Sequence, residues 1–228
     1  MVAAPTPRRP SDKRHKPPRV LLTGFDPFGG DALNPSWLIA QALHGKRIAG
    51  HRIVAAQLPT EFGASLQRLR ALMAAHRPAL VVCLGLAATR AGLSLERIAI
   101  NVDDARIADN AGAQPIDTPV VAGAPAAYFS TLPIKAMQQA IQAAGVPAEI
   151  SQTAGTFVCN HVFYGLMHRL ATARGFSGTR GGFIHVPMLP EQGDPSLPLA
   201  LMVEGLRVGI RTALTCDVDL RLGGGAVD

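Results

Sequence analysis

Residues Ala79-Leu-Val-Val-Cys-Leu84 form an unbroken apolar run between Pro78 and Gly85. A strand with one wet face alternates apolar and polar residues. A run without alternation fits a parallel strand covered on both faces. Parallel neighbours need crossover connections, which are usually helices, so the rest of the chain should alternate strand and helix. It reads that way. Arg19–Thr23 is a first strand, Asn34-Pro35 opens a helix with Asn as cap and Pro at its first position, and Arg52–Gln57 is a second strand. Thr60-Glu61 should start a helix whose Phe62, Leu66, Leu69 and Met73 make a core-facing stripe, stopped by Pro78. Leu93–Val102 is extended, Ser130–Pro133 should cap a helix ending at Gly145, and Glu149–Gln152 and Gly182–Pro187 are further strands. Ser196 and Pro198 open a last helix carrying Leu199, Met202, Leu206 and Ile210. The expected fold class is α/β: a single-domain three-layer α/β/α sandwich on a largely parallel, twisted sheet.

Composition narrows the function. With 228 residues, 48% hydrophobic and 17% charged, the chain can bury one substantial core. The net charge of +6 is concentrated at the start, where residues 1–19 hold six Lys/Arg against Asp12 alone, leaving the remainder near neutral. A nucleic-acid binder should carry its basic stripe on the folded body, so nucleic acid is not an expected partner. Residues 1–18 read as a basic, Pro-rich, disordered extension, 19–216 as the folded domain and 217–228 as a Gly-rich tail. The first stretch has no apolar segment like a secretory signal, and no apolar run nears the ~18 residues of a membrane span. Three widely spaced cysteines, Cys83, Cys159 and Cys216, fit a reducing cytoplasm without a disulfide framework.

The chemistry concentrates in Thr153–His168, where Gly-Thr-Phe-Val leads into Cys159 and Val162, Leu166 and Leu170 follow on one face. This reads as a loop delivering a cysteine to the first turn of a helix. There the helix dipole and unpaired N–H groups favour thiolate. The alternative is a buried structural cysteine, and Cys83 inside its apolar run has that character. A nucleophile needs a base. His161 and His168 share the helix with Cys159, but their spacing turns or carries them away from the sulfur. His185, near the carboxyl end of a strand, is better placed, since ligands collect there in open α/β sheets. Glu96 lies within an apolar strand, as a surface position or as a carboxylate aimed into a cleft to orient that histidine. No Cys/His cluster has metal-ligand spacing. Phe25 and Phe28, in the loop Gly24–Gly30, either pack beneath it or wall a ligand site. The connection from Asp103 to Tyr128 is long enough to suggest binding or lid function.

Four blocks carry a resemblance. They are Thr-Gly-Phe-Asp-Pro-Phe-Gly-Gly with Asn34-Pro35; Leu-Glu-Arg-Ile-Ala-Ile-Asn with Asp104-Ala-Arg106; Ala-Gly-Thr-Phe-Val-Cys-Asn-His-Val; and Gly-Phe-Ile-His-Val-Pro with Pro190-Glu-Gln192. Together they make the chain after Arg19 resemble the pyroglutamyl-peptidase I (pyrrolidone carboxyl peptidase) family of cysteine peptidases. The resemblance implies Cys159 as nucleophile, His185 as base and Glu96 as its orienting carboxylate. It also implies an oxyanion site from Arg106 and the Cys159 N–H. Phe25, Phe28, Asn34, Leu86, Ile107, Phe157 and Val158 would form the substrate pocket. It further implies a cytoplasmic homodimer or homotetramer, no metal or other cofactor, and N-terminally pyroglutamylated peptides as substrates. Where the family reads Gly-Gln-Ala-Gly-Gly-Arg, this chain has Gly85-Leu-Ala-Ala-Thr-Arg90, which puts Leu86 in place of glutamine. Two alternatives follow: a catalytically silent ligand-binding relative, and a nucleoside phosphorylase-like enzyme on a similar sandwich.

Overall fold

A computed structural model describes residues 17–225 of the protein. The expected 1–18 extension lies outside these residues but for Pro17 and Pro18. The strands are β1 (Arg19–Phe25), β2 (Arg47–Ile48), β3 (His51–Leu58), β4 (Leu80–Leu86), β5 (Leu93–Glu96), β6 (Ile98–Ile100), β7 (Ala127–Phe129), β8 (Ala148–Ser151) and β9 (Arg180–Val186). The helices are α1 (Pro35–Leu43), α2 (Ala64–His76), α3 (Ile134–Ala143), α4 (Val158–Thr172) and α5 (Leu199–Thr215). Seven strands form the main sheet in the order β2-β3-β1-β4-β9-β5-β8, and β6 and β7 form a separate two-stranded ribbon. The pairs β3/β1, β1/β4, β4/β9 and β5/β8 are parallel, whereas β5/β9 and β2/β3 are antiparallel. The sheet is therefore largely parallel, as the β4 run requires.

Two apolar cores sandwich this sheet. Val20, Leu22, Val82, Leu84, Ile184 and Val186 point to one face, where α1, α3 and α5 bring Ile39, Met137, Leu206 and Ile210. Leu21, Val81, Cys83 and Phe183 point to the other, against Leu69 and Met73 of α2 and Val162, Phe163 and Leu166 of α4. This alternation along each strand makes the continuous apolar run intelligible, because both of its faces meet helices.

Four local expectations change. The second helix begins at Ala64, not at Thr60-Glu61, so Phe62 lies ahead of it. Gly63, at a φ of 73°, turns the chain into the helix. The extended run Leu93–Val102 breaks at Arg97, where the backbone N–H bonds to Ser151 O at 2.9 Å and the chain passes from the main sheet into the ribbon. No side chain of Ser130–Pro133 caps α3. The Asp219 carboxylate does so instead, accepting from Lys135 N at 3.1 Å and Ala136 N at 2.9 Å. Likewise α5 starts after Pro198 with no side-chain cap from Ser196. By contrast, Asn34 caps α1 as expected, its side chain accepting from Ser36 N with Pro35 at the first position.

Candidate active site

The α4 segment opens at Val158 and has no capping side chain, which leaves its first-turn N–H groups to a ligand's oxygen. Cys159 falls in that turn, partly exposed. Its sulfur rests over Gly85 of β4. A Cβ at residue 85 would stand 2.7 Å from the Cys159 Sγ and 2.8 Å from the Phe183 ring, so only glycine leaves the sulfur this seat. Register places the partner group alongside, since Gly85 lies directly opposite His185 of β9.

On its other side β9 pairs with β5, with His185 opposite Ser94. Glu96, two residues beyond Ser94, therefore shares the His185 face as a diagonal neighbour, within reach of a long side chain. The His185 Nδ1 to Glu96 Oε1 distance is 2.8 Å, with the His185 and Glu96 side chains 7% and 0% exposed. Glu96 Oε2 has no hydrogen-bond partner among the described residues. Burial pushes the His185 pKa down, but the charge and hydrogen bonding of the Cys159 sulfur and of Glu96 outweigh it, leaving the value at about 9. Cys83 shows the opposite case. It is wholly buried, and burial pushes its thiol up to about 12. This is the core cysteine that its apolar run predicts.

Beside Cys159 lies a narrow apolar cavity lined by Phe25, Phe28, Asn34, Thr60, Leu86, Phe157, Val158 and Cys159. A wider cleft of about 260 Å³ between Arg97, Arg180 and Asp217 is open and polar and has neither cysteine nor histidine in its lining. Phe25 is 2% exposed at the end of β1, and Phe28 packs on Phe157 with ring centroids 6.3 Å apart, so both phenylalanines wall the cavity. The polar atoms of Asn34 are engaged by its own loop. Its Oδ1 accepts from Ser36 N and Oγ, and its Nδ2 donates to Asp26 O at 2.9 Å.

Six of the seven expected pocket residues thus converge with Cys159. The seventh, Ile107, is 49% exposed, and like Arg106 it stands on the connection between β6 and β7, outside the cavity wall. Thr60 is the lining residue that sequence reasoning missed. Its hydroxyl donates to Asp26 O at 3.2 Å and its backbone N–H to Asp26 Oδ1 at 2.7 Å. The signal was there, because Thr60 follows the carboxyl end of β3 beside β1, where ligand sites of open sheets form. Read as the start of a helix, it lost that context.

Known proteins similar to this chain form one family. A family model described as pyroglutamyl peptidase matches residues 18–216. The pyrrolidone-carboxylate peptidase of Cupriavidus taiwanensis is 61% identical over 214 residues, covering 91% of this chain and 98% of that protein. The pyrrolidone-carboxylate peptidase 1 of Ralstonia nicotianae is 57% identical, with coverage of 91% and 98%. Among solved structures, pyroglutamyl peptidase I from Bacillus amyloliquefaciens superposes with a TM-score of 0.86 at 45% identity, covering 89% of this chain and all of that one. The pyrrolidone carboxyl peptidase from Thermococcus litoralis gives 0.87 at 34% identity, with coverage of 90% and 99%.

Proposed function

The chain belongs to the pyroglutamyl peptidase family, and from that premise we propose a cysteine omega-peptidase that removes an N-terminal pyroglutamyl residue from peptides. Such an end has no free amine, because its nitrogen is closed into a lactam. A site that grips it must read a small ring rather than an ammonium group. The observation that carries the reading is the adjoining of a small aromatic-walled cavity to Cys159, with a buried His185–Glu96 pair beside it.

The Cys159 sulfur attacks the pyroglutamyl carbonyl. The Cys159 N–H, joined by Arg106, holds the oxyanion that develops. His185, kept protonated by its surroundings, delivers its proton to the leaving amine as the carbon–nitrogen bond breaks and a thioester remains. His185, now neutral, then takes a proton from the water that hydrolyses the thioester. Glu96 bonds the Nδ1 side of the ring and so keeps Nε2 for the chemistry, while Phe25, Phe28, Phe157 and Val158 hold the ring of the substrate.

Hydrolysis of a pyroglutamyl amide, with and without prior iodoacetamide, tests this reading. Release of the amine that iodoacetamide abolishes is expected. Release that survives full alkylation of Cys159 contradicts it. Leu86 favours one further reading, a silent relative that binds pyroglutamate without turnover, and the same assay decides between them. Family membership leaves no support for a phosphorylase-like activity. We place the protein in the cytoplasm, in keeping with its three free cysteines. Among the described residues no helix is long and apolar enough to cross a membrane. A homodimer or homotetramer would cover apolar side chains now in solvent, such as Phe129 at 67% and Ile116 at 71% exposure.

A further inference from the structure

The protein buries a second histidine–carboxylate pair. His161 Nδ1 lies 2.8 Å from Asp103 Oδ2, with each side chain 8% exposed. The other ring nitrogen, Nε2, accepts the backbone N–H of Gly63 at 3.0 Å. Because Gly63 donates, Nε2 carries no proton, and the Nδ1–H donates to Asp103. His161 is two residues after Cys159 on α4, ~200° around the helix, so the imidazole faces away from the sulfur.

One ring therefore joins three segments. Gly63 follows Thr60 of the cavity wall by three residues, and Asp103 precedes Arg106 by three and Ile107 by four. Phe62 stands edge-on both to His161, at 5.4 Å between centroids, and to Phe157 of the cavity wall, at 5.3 Å. The connection after Asp103 is fastened to the same rim. Asp109 Oδ2 accepts from Phe62 N at 2.7 Å, Asn110 N donates to Thr60 O at 3.1 Å, and the Asn110 side chain donates to Pro27 O at 2.9 Å. Asp103 Oδ1 is buried with no partner among the described residues. A pair in that state is a poor source of stability, and apolar residues of similar size often replace one without loss. Its value lies in where it holds the chain.

We propose that His161 and Asp103 are positioning residues for the pyroglutamyl pocket, tying the Thr60–Gly63 segment and the Arg106–Ile107 segment to the helix that carries Cys159. The inference rests on the reading that this cavity takes the pyroglutamyl ring. Neither residue touches Cys159, His185 or Glu96, so releasing the Thr60–Gly63 side of the tie should impair binding before chemistry, and releasing the Asp103 side should also disturb Arg106.

Two near-isosteres separate the two bonds. His161→Asn keeps an N–H donor where Nδ1 stood and loses the acceptor for Gly63. His161→Gln keeps an acceptor near Nε2 and loses the donor to Asp103. Amide hydrogen exchange should quicken at residues 60–63 in the Asn variant and at 101–118 in the Gln variant, with residues 180–186 unchanged in both. With a pyroglutamyl amide, the Asn variant should show KM raised roughly tenfold or more with kcat within about threefold, whereas the Gln variant, which loosens the segment carrying Arg106, should lose kcat as well. The rate of Cys159 alkylation by iodoacetamide should stay within about twofold, whereas a merely structural role would leave KM alone. If either variant fails to fold, Asp103→Ala, which removes the acceptor for Nδ1–H, carries the same measurements at 101–118. Unchanged exchange at both segments would overturn the tie. Quickened exchange with unaltered KM in an active enzyme would overturn its role in the pocket. An inactive parent enzyme would count against the peptidase reading alone, because the exchange arm needs no substrate.

Discussion

Two thiols in one protein sit in opposite surroundings. Cys83 is shut in the core, where burial holds its proton up to about 12, while Cys159 is partly exposed beside a histidine that carries a proton to about pH 9. Cys159→Ser should therefore abolish release of the amine from a pyroglutamyl amide, and Cys83→Ser and Cys216→Ser should leave it within a few fold. Near-parental activity in the Cys159 variant would remove it from the mechanism. The raised His185 value also fixes a sign. His185 must be protonated to serve the leaving amine, so kcat/KM should fall as pH rises through about 9. The same shift stabilises the fold fully below the ordinary value of 6.5 and loses that contribution as pH rises to about 9. Glu96→Gln removes one of the two influences that raise it, and a pH–rate profile should show the alkaline limb displaced to lower pH. An unmoved limb would mean that Glu96 does not act on His185. Cys159, His185 and Glu96 were legible in the sequence because each breaks a local pattern: a helix start, a strand end, a charge in an apolar run. The His161–Asp103 pair was not. The helix repeat shows that His161 turns from the sulfur, but nothing in it points to a carboxylate 58 residues away.

Helix ends and sheet changes were the least legible elements, for a related reason. The sequence around Ser130 reads as a cap, yet Ser130 Oγ is engaged within its own loop, accepting from Leu132 N at 3.2 Å. The cap comes instead from Asp219, 83 and 84 residues from the N–H groups it serves. That contact also anchors a segment which composition marks as a Gly-rich tail, and Arg97 Nη2 adds a bond to Gly224 O at 2.7 Å. Asp219→Ala should cost about 0.5–2 kcal/mol, as for other capping residues. At this chain length that lowers Tm by roughly 2–4 °C per kcal/mol. Kinetics should be unaltered, since α3 lies on the face of the sheet away from Cys159. Calorimetry of this variant that shows no loss of Tm would contradict the capping role. The break at Arg97 is the same lesson in strands. Backbone on either side is extended, so the residue pattern runs on, while hydrogen bonding to Ser151 and then to β7 sends the two halves into different sheets.

At the scale of the molecule, one apolar run was enough to require the sandwich, because a parallel strand demands helices on both faces. Strand order was not in the sequence. It decides everything at the site, since β9 inserts between β4 and β5 and so sets His185 beside both Gly85 under the sulfur and Glu96, 89 residues away. The molecule that results has a narrow aromatic-walled cavity beside Cys159 at the end of that sheet, and the proposed activity requires this cavity to read a lactam. Pyroglutamyl and prolyl residues match closely in shape, and apolar walls alone separate near-isosteres by only ~1–3 kcal/mol. Hydrogen bonds to the lactam, left unmade by proline, extend discrimination to 10⁴-fold or more, and a charged prolyl amine pays further desolvation against Phe25, Phe28 and Phe157. The most direct measurement is the ratio of kcat/KM for a pyroglutamyl amide to that for the matching prolyl amide. A ratio of at least ~10³ is predicted. A ratio below ~10, which shape alone would give, would contradict a pyroglutamyl-specific pocket even in an enzyme that depends on Cys159.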